Sequence, residues 1–265
     1  MKSFFRATFK IILILTILAE CATTEEIKET DPVKLLNQGI ALGREGQYDL
    51  SIAFFNKAIE INPSCAEVYY NRGLSYKNKG HHFKAISDYT KAIELSPMYY
   101  AAYNNRGNAY CAKGKYDKAI SDYSKSIELN PWNAMTYSNR GIAYDKKSQY
   151  DKAISDLNKA IELNPGYADA YNYKAWMLAT CQNTIYRDGA KAVELAKKAV
   201  KLDPNNQNLN TLAAAYAEVG KFEDAMKTQK KVIDSLKKEG KPKHLINQCV
   251  EHLKSYKANK PWREK

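Results

Sequence analysis

The stretch YAAYNNRGNAYCAKGKYDKAISDYSKSIELNP, residues 100–131, decides the fold of this 265-residue chain. A near copy, AMTYSNRGIAYDKKSQYDKAISDLNKAIELNP, follows at residues 134–165. The prolines that close successive copies recur every 34 residues, at Pro63, Pro97, Pro131 and Pro165. A fixed period of this length predicts stacked repeats, in which each unit buries its apolar face against its neighbours. Such an array presents a long concave surface rather than a single catalytic cleft.

Each copy contains two apolar stripes at helical spacing, separated by a break. In the copy that begins at Tyr100, the first stripe ends at Ala112 and the second begins at Tyr116, with Lys113-Gly114-Lys115 between them. This pattern predicts a helix, a tight turn and a second, antiparallel helix. The Asn-Pro or Ser-Pro pair is expected to end the second helix, because the residue before proline is driven out of the helical region.

Glycine recurs in the first helix of each early copy, at Gly39, Gly73, Gly107 and Gly141. A glycine inside a helix costs about 1 kcal/mol relative to alanine, so its recurrence predicts a close contact that compensates. The large side chains expected to fill that contact lie on the second helices, at Phe55, Tyr89, Tyr123 and Leu157.

The period, the glycines, the tyrosines, the alanines of the second helices and the closing prolines resemble the tetratricopeptide repeat family. The resemblance covers residues 32 to about 239 and implies an all-α fold, a right-handed α-solenoid of stacked helix-turn-helix repeats with a C-terminal capping helix. The expected repeats are residues 32–65, 66–99, 100–133, 134–167, 168–205 and 206–239. Residues 240–265 are expected to form the capping helix and a tail.

The fifth copy differs from the others because QNTIYRDGAKA precedes its second helix. Asp188-Gly189 is predicted to cap the restarted helix, and the extra residues suit either a binding loop or a tolerated change of length. The apolar side of the last helix, residues 242–257, is expected to consist of Leu245, Ile246, Cys249, Leu253 and Tyr256. The RDG insertion, the TLAAAY segment and the KPWRE ending also resemble a subgroup of bacterial repeat proteins.

Residues 1–21, MKSFFRATFKIILILTILAEC, combine a basic start with a short apolar run, which predicts an export signal. The ending resembles a bacterial lipoprotein signal and implies that Cys21 is acylated, although Glu20 stands where that family has a small residue. A cut after Cys21 and an uncleaved anchor remain alternatives. Residues 22–31 are predicted to be a flexible linker. The expected location is the bacterial cell envelope, with possible membrane attachment through the N-terminus.

The net charge of +12 is unevenly distributed. Residues 22–190 hold 21 basic and 19 acidic side chains, whereas residues 191–265 hold 17 basic and 9 acidic ones. A nucleic-acid groove would need cations along the repeats themselves, so no nucleic-acid partner is expected. The basic end is interpreted as a solvated cap, with docking to an acidic partner or an anionic membrane as the alternative.

Residue patterns that carry catalysis or bind cofactors are missing from the sequence. It has no phosphate-binding loop, no nucleophile elbow, no zinc motif and no C-x-x-C pair among its five cysteines. His244 and His252 share a helix face but lie about 12 Å apart by helical rise, too far for one metal ion. We therefore expect no enzyme activity, no cofactor and no metal site.

Four first helices carry an asparagine two residues before the packing glycine, at Asn37, Asn71, Asn105 and Asn139. In the tetratricopeptide repeat family the first helices line the concave groove, and these residues resemble asparagine ladders that hold a peptide backbone. A carboxamide can both donate to and accept from any peptide unit. Asn104 and Asn108 enrich the third copy, and Tyr173 replaces the asparagine in the fifth. Solvated polar residues on an exposed helix face remain the alternative interpretation.

The arginines that follow the ladder, Arg72, Arg106 and Arg140, are expected to point away from it and to contact tyrosine and the neighbouring repeat. The predicted function is a protein-interaction scaffold or adaptor that binds a protein or peptide partner in the groove. A structural spacer, or an accessory subunit of an envelope complex that docks through the basic end, is the alternative.

Overall fold

The computed structural model describes residues 29–263, and in this range it contains thirteen α-helices, one short 3-10 helix and no strand. The predicted signal, the residue Cys21 and most of the predicted linker lie outside the described residues. The all-α class and the helix-turn-helix repeats are confirmed, and the capping helix is present at the C-terminal end. One compact unit ends at Leu129 and the other begins at Asn130.

The first unit contains six helices in three antiparallel pairs. Their bounds are α1 Pro32–Arg44, α2 Tyr48–Ile61, α3 Ala66–Asn78, α4 His82–Leu95, α5 Tyr100–Ala112 and α6 Tyr116–Leu129. Asp31 caps α1, where its Oδ1 accepts a hydrogen bond of 2.9 Å from the Val33 amide, and Pro32 occupies the first helical position. The capped start and the apolar stripes therefore act together to place the first pair.

The second unit contains the remaining helices. Their bounds are α7 Ala134–Asp145, α8 Tyr150–Leu163, α9 Ala168–Thr180, α10 Gly189–Leu202, α11 Asn206–Glu218, α12 Phe222–Lys238 and α13 Lys243–Lys257. The 3-10 helix, Thr184–Tyr186, lies in the insertion before α10. Asp188 caps α10 as predicted, since its Oδ1 accepts a hydrogen bond of 2.9 Å from the Lys191 amide.

The helix pairs are held by the predicted small-to-large contacts. A Cβ atom added to Gly107 would lie 2.6 Å from the ring of Tyr123, and one added to Gly39 would lie 2.5 Å from the ring of Phe55. Side chains cannot approach so closely, so the glycine sets the distance between the two helices of a pair. Tyr123 itself is fully buried.

The capping helix α13 packs its apolar side against α12 through Ile246, Cys249 and Leu253, and Tyr256 is fully buried. The prediction that Leu245 belongs to this side is wrong, because Leu245 lies in the first turn of α13 and is 39% exposed.

Candidate functional site

A cavity of about 350 Å³ opens between the first helices α1 and α3 of the first unit. Ile40 and Leu74 supply apolar walls, Arg44 lies at its edge, and Asn71 contributes its amide. Its other lining residues are Gly39, Gly43, Ser51, Phe55, Ser75 and Asn78. The predicted ladder residue Asn71 therefore lines a concavity between two first helices.

A second cavity, of about 100 Å³, opens between α7 and α9 of the second unit. It is lined by Gly141, Ile142, Asp145, Lys146, Leu157, Tyr173, Trp176 and Met177. Ile142, Lys146, Tyr173 and Trp176 each follow their counterparts in the first cavity, Ile40, Arg44, Asn71 and Leu74, by 102 residues. This offset is three periods of 34, so the same repeat positions build a cavity in each unit.

The ladder asparagines differ in how many hydrogen bonds their side-chain N–H groups already donate within the protein. Asn71 donates one hydrogen bond of 2.9 Å to the carbonyl of Glu67, one turn earlier in its own helix. Asn105 donates two, each of 3.0 Å, to the carbonyl of Ala101 and to the hydroxyl of Tyr70. Since a carboxamide has two N–H groups, Asn71 keeps one for a ligand and Asn105 keeps only its carbonyl oxygen.

The other two ladder positions differ in exposure: Asn37 is exposed and Asn139 is half-buried. Tyr173, which replaces the asparagine in the fifth copy, is half-buried and packs against Leu157 and Met177 while it lines the second cavity. Peptide contact by these residues stays a prediction.

Asn104 and Asn108 have packing roles that the sequence did not reveal. Asn104 is buried, only 7% exposed, on the side of α5 that faces other helices. Asn108 accepts a hydrogen bond of 2.7 Å from the hydroxyl of the buried Tyr123. Asn104 is therefore largely withdrawn from solvent, whereas Asn108 is only half-buried, and peptide contact by these two residues stays a prediction.

Sequence reasoning missed a buried ion pair that recurs in three repeats. Arg106 contacts Asp122 in a bidentate manner, Nε to Oδ2 and Nη2 to Oδ1, both at 2.8 Å. The same geometry joins Arg72 to Asp88 and Arg140 to Asp156. An arginine and an aspartate separated by 16 residues in consecutive copies was the signal that could have revealed it.

The ion pair orients the arginine and keeps it charged. Burial alone would lower the pKa of Arg106, but the hydrogen bonds and the charge of Asp122 outweigh this effect and raise it above its ordinary value. The predicted contacts are also present, since the guanidinium carbon lies 5.6 Å from the ring centre of Tyr103 and Nη1 donates to the Thr90 hydroxyl at 3.0 Å. This arginine is therefore committed to the packing of the repeat.

The described residues offer little for metal or membrane chemistry. Between residues 29 and 263, no three His, Cys, Asp or Glu side chains come close enough to hold a metal ion. No helix in the same range has the length and apolar character needed to cross a bilayer.

The repeated helix pairs define the class of protein as a helical repeat protein. Models of the tetratricopeptide repeat family match residues 41–80, 66–99, 88–121, 107–148 and 134–167, which together cover 41–167 without a gap. This part of the chain, just under half of its residues, is similar to the tetratricopeptide repeat family. Proteins of the family act in general as non-catalytic scaffolds for protein interactions.

Several solved structures resemble the chain. The protein MamA is 25% identical over 65% of this chain and 92% of its own, with a TM-score of 0.56. YrrB, a tetratricopeptide repeat protein, is 23% identical over 69% of this chain and 92% of its own, with a TM-score of 0.55. A tetratricopeptide repeat protein from Parabacteroides merdae is 20% identical over 88% of this chain and 86% of its own, with a TM-score of 0.66. No curated protein matches the chain significantly.

Proposed function

We propose that the chain is an adaptor that binds an extended segment of a partner protein on the first-helix surface of its repeats. The observation that carries this proposal is the recurrence of a cavity at the same repeat positions in both units. Both cavities open to the surface, so a ligand can reach them from solvent. Each cavity is therefore suited to receive a side chain of a bound segment.

The lining residues indicate the chemistry of that segment. Each cavity has apolar walls, Ile40 and Leu74 in one and Ile142 and Trp176 in the other. The first cavity is also lined by Arg44, and the second by both Asp145 and Lys146. An apolar side chain next to an acidic one complements the walls and the cation of the first cavity. In the first cavity, the N–H that Asn71 retains can pair with the backbone of the segment whatever its sequence.

YrrB is described as having an unusual peptide-binding site. At 23% identity, the likeness to that protein supports the fold alone, so the proposal depends on the cavities of this chain.

The test is selection of a displayed random peptide library on the immobilised chain. We expect enrichment of peptides with an aliphatic or aromatic residue beside Asp or Glu, and at least a tenfold loss of affinity, about 1.4 kcal/mol, for the double variant Asn71→Ala, Leu74→Ala. The matched control is Lys57→Ala, Lys91→Ala, which removes two exposed cations from the second helices of the same unit. Equal binding to both variants would refute a first-helix site.

The alternative functions predict different outcomes. A structural spacer would enrich no peptide. An accessory subunit that docks through its basic end would lose its partner when the exposed lysines of α12, such as Lys230 and Lys231, are replaced by glutamine, and would keep it when Asn71 and Leu74 are replaced.

We also propose that the chain is exported to the cell envelope, on the sequence of residues 1–21 alone. Mass spectrometry of the mature N-terminus separates the three forms that the sequence allows. An acylated Cys21 supports the lipoprotein, an unmodified chain that begins at Ala22 supports a secreted protein, and an intact Met1 supports an anchor or no export.

A further inference from the structure

The residues after α13 reverse direction and lie against first helices of the second unit. Asn259 adopts a left-handed conformation with a φ of 53°, and its amide donates to the carbonyl of Tyr256 at 3.0 Å, a helix ending that asparagine tolerates well. Ser255 fixes the turn from its side chain, because its hydroxyl donates to the carbonyl of Lys260 at 2.8 Å. Residues 260–263, defined here as the tail, continue from this turn.

The indole of Trp262 covers a buried histidine. Its ring centre lies 4.4 Å from that of His252, and the imidazole in turn lies 5.9 Å from Trp176. Trp262 also packs against the buried cluster that contains Ala213 and Ala217 of the first helix α11. His252 is only 1% exposed, and Trp262 itself is half-buried.

The next residue, Arg263, anchors the tail to two first helices. Its Nη1 lies 2.6 Å from Oε2 of Glu218 at the end of α11 and donates to the carbonyl of Ala179 in α9 at 3.3 Å. The other carboxylate oxygen of Glu218 lies 3.2 Å from Nε of Arg187, which belongs to the insertion before α10. Glu218 would therefore keep one arginine if the tail left, so release would strand no unpaired buried charge.

Trp176 links the region of the tail to the cavity between α7 and α9. The same side chain lines the cavity between α7 and α9 and stacks near the His252 imidazole. The tail thus sits on the first-helix surface in the way that a bound segment would, with one aromatic ring and one cation.

We propose that the tail is an intramolecular ligand, and that the first-helix surface of α9 and α11 is a site for a segment in which an aromatic residue precedes an arginine. The inference rests on the proposed function, because it assigns a ligand chemistry to one end of the same surface. The tail fills the site in the free chain, and a partner segment of the same chemistry displaces it.

The experiment uses a fluorescein-labelled peptide with the sequence of residues 258–265, ANKPWREK, and a chain that ends at Asn259. We expect the peptide to bind the shortened chain at least tenfold more tightly than the full chain, whose site is filled. Replacing the tryptophan or the arginine of the peptide by alanine should each weaken binding at least tenfold. In the Glu218→Gln variant of the shortened chain, replacing the arginine of the peptide by alanine should no longer change the affinity. The exposed control variant Lys230→Ala should bind the peptide as tightly as the unchanged shortened chain.

A folded shortened chain that does not bind the peptide at millimolar concentration would show that the tail is a fixed part of the fold and would overturn the inference. If the shortened chain does not fold, the full-length Trp262→Ala variant takes its place with the same expected outcome. Concentration-dependent dimers of the full chain that disappear on tail removal would support the site with the tail of a second copy as its ligand. The library selection on Asn71 and Leu74 does not involve the tail, so failure here leaves the proposed function to be judged separately.

Discussion

Repeat 3, residues 100–133, and repeat 5, residues 168–205, pack their two helices together with different residues at the same two positions. In repeat 3, Gly107 makes room for the ring of Tyr123. In repeat 5, Ala175 stands at the glycine position and Ala196 at the ring position, and both are fully buried in one cluster. A gain of one methyl group on the first helix thus accompanies the loss of an aromatic ring on the second. The comparison shows that glycine stands on the first helix where an aromatic ring faces it, and that alanine takes its place where the ring is absent.

The same two repeats differ in their charges. Repeat 3 has the buried Arg106–Asp122 pair, whereas repeat 5 has Lys174 and Leu195 at these positions. Lys174 donates a hydrogen bond to Asn158 instead, and its pKa is lowered by burial and, to a smaller extent, by the charge of Lys191. Both partners of the pair have changed together, as expected because one buried charge without the other is costly.

The largest effect should come from breaking one pair without its compensation. Asp122→Leu gives repeat 3 the residue of repeat 5 and leaves the guanidinium of Arg106, 16% exposed, without its carboxylate. We expect a loss of about 3 kcal/mol or more in the free energy of unfolding, measured by urea titration with far-ultraviolet circular dichroism.

The double variant Arg106→Lys, Asp122→Leu copies repeat 5 more fully and serves as the control. A lysine can extend its flexible stem so that the ammonium reaches solvent, so we expect the double variant to recover part of the loss. A double variant no more stable than Asp122→Leu would contradict the view that the two positions change as a pair.

Acidification should lower the stability of the second unit, which contains His252. Burial lowers the pKa of His252 to about 4, and its ordinary value is 6.5. The folded state therefore binds fewer protons than the unfolded state between these values, and stability falls as the pH drops from about 6.5 towards 4. At pH 5 the loss should be about 2 kcal/mol. Cys249 and Tyr256 on the same helix have pKa values raised by burial, so neither titrates in this range.

The three tryptophans, Trp132, Trp176 and Trp262, all lie in the second unit, so tryptophan fluorescence reports unfolding there alone. We expect the urea midpoint seen by fluorescence to fall at pH 5 in the parent chain and to be insensitive to pH in His252→Gln. An equal pH dependence in the variant would assign the effect to other groups.

The loss of stability when a packing glycine is replaced by alanine should depend on how closely the added methyl group approaches its neighbour. Gly107→Ala introduces a methyl group 2.6 Å from a ring carbon of Tyr123, whereas the nearest side-chain atom to the same group in Gly141→Ala is Cγ of Leu157 at 3.2 Å. We expect a loss of about 1–3 kcal/mol for Gly107→Ala and a smaller one for Gly141→Ala. Replacing Tyr123 by leucine first should reduce the penalty of Gly107→Ala to that of Gly141→Ala, which the urea titration would show.

Much of the fold could be predicted from the sequence because the signals were local and repeated. The 34-residue period, the glycine contacts and the cap at Asp188 each depend on neighbours along one hairpin. The exposure of Leu245 was not predictable from helical periodicity, since the periodicity places it on the apolar side and does not show which turns of a helix a neighbour covers.

The candidate site was predictable only in part. The register of the asparagines placed Asn71 beside a cavity, but it could not show that Asn105 spends both N–H groups on Tyr70 and its own helix. The cluster of Arg187, Glu218 and Arg263 joins residues far apart in sequence, and no period links them. Contacts of this kind depend on where the chain reverses after α13.

The smallest effect should come from the turns between the helices of a repeat. Gly114 has a φ of 68° at this point in repeat 3, whereas repeat 4 places Ser148 there with a φ of 56°. The left-handed conformation costs a residue with a Cβ about 1–2 kcal/mol, and glycine avoids this cost. Part of the resulting stabilisation is lost because glycine has more conformational freedom in the unfolded chain. We therefore expect Ser148→Gly to stabilise the second unit by about 0.5–1 kcal/mol, detected by tryptophan fluorescence, and Gly114→Ser to destabilise the first unit by a similar amount. If Ser148→Gly were destabilising, the serine would have to contribute an interaction that outweighs its backbone strain.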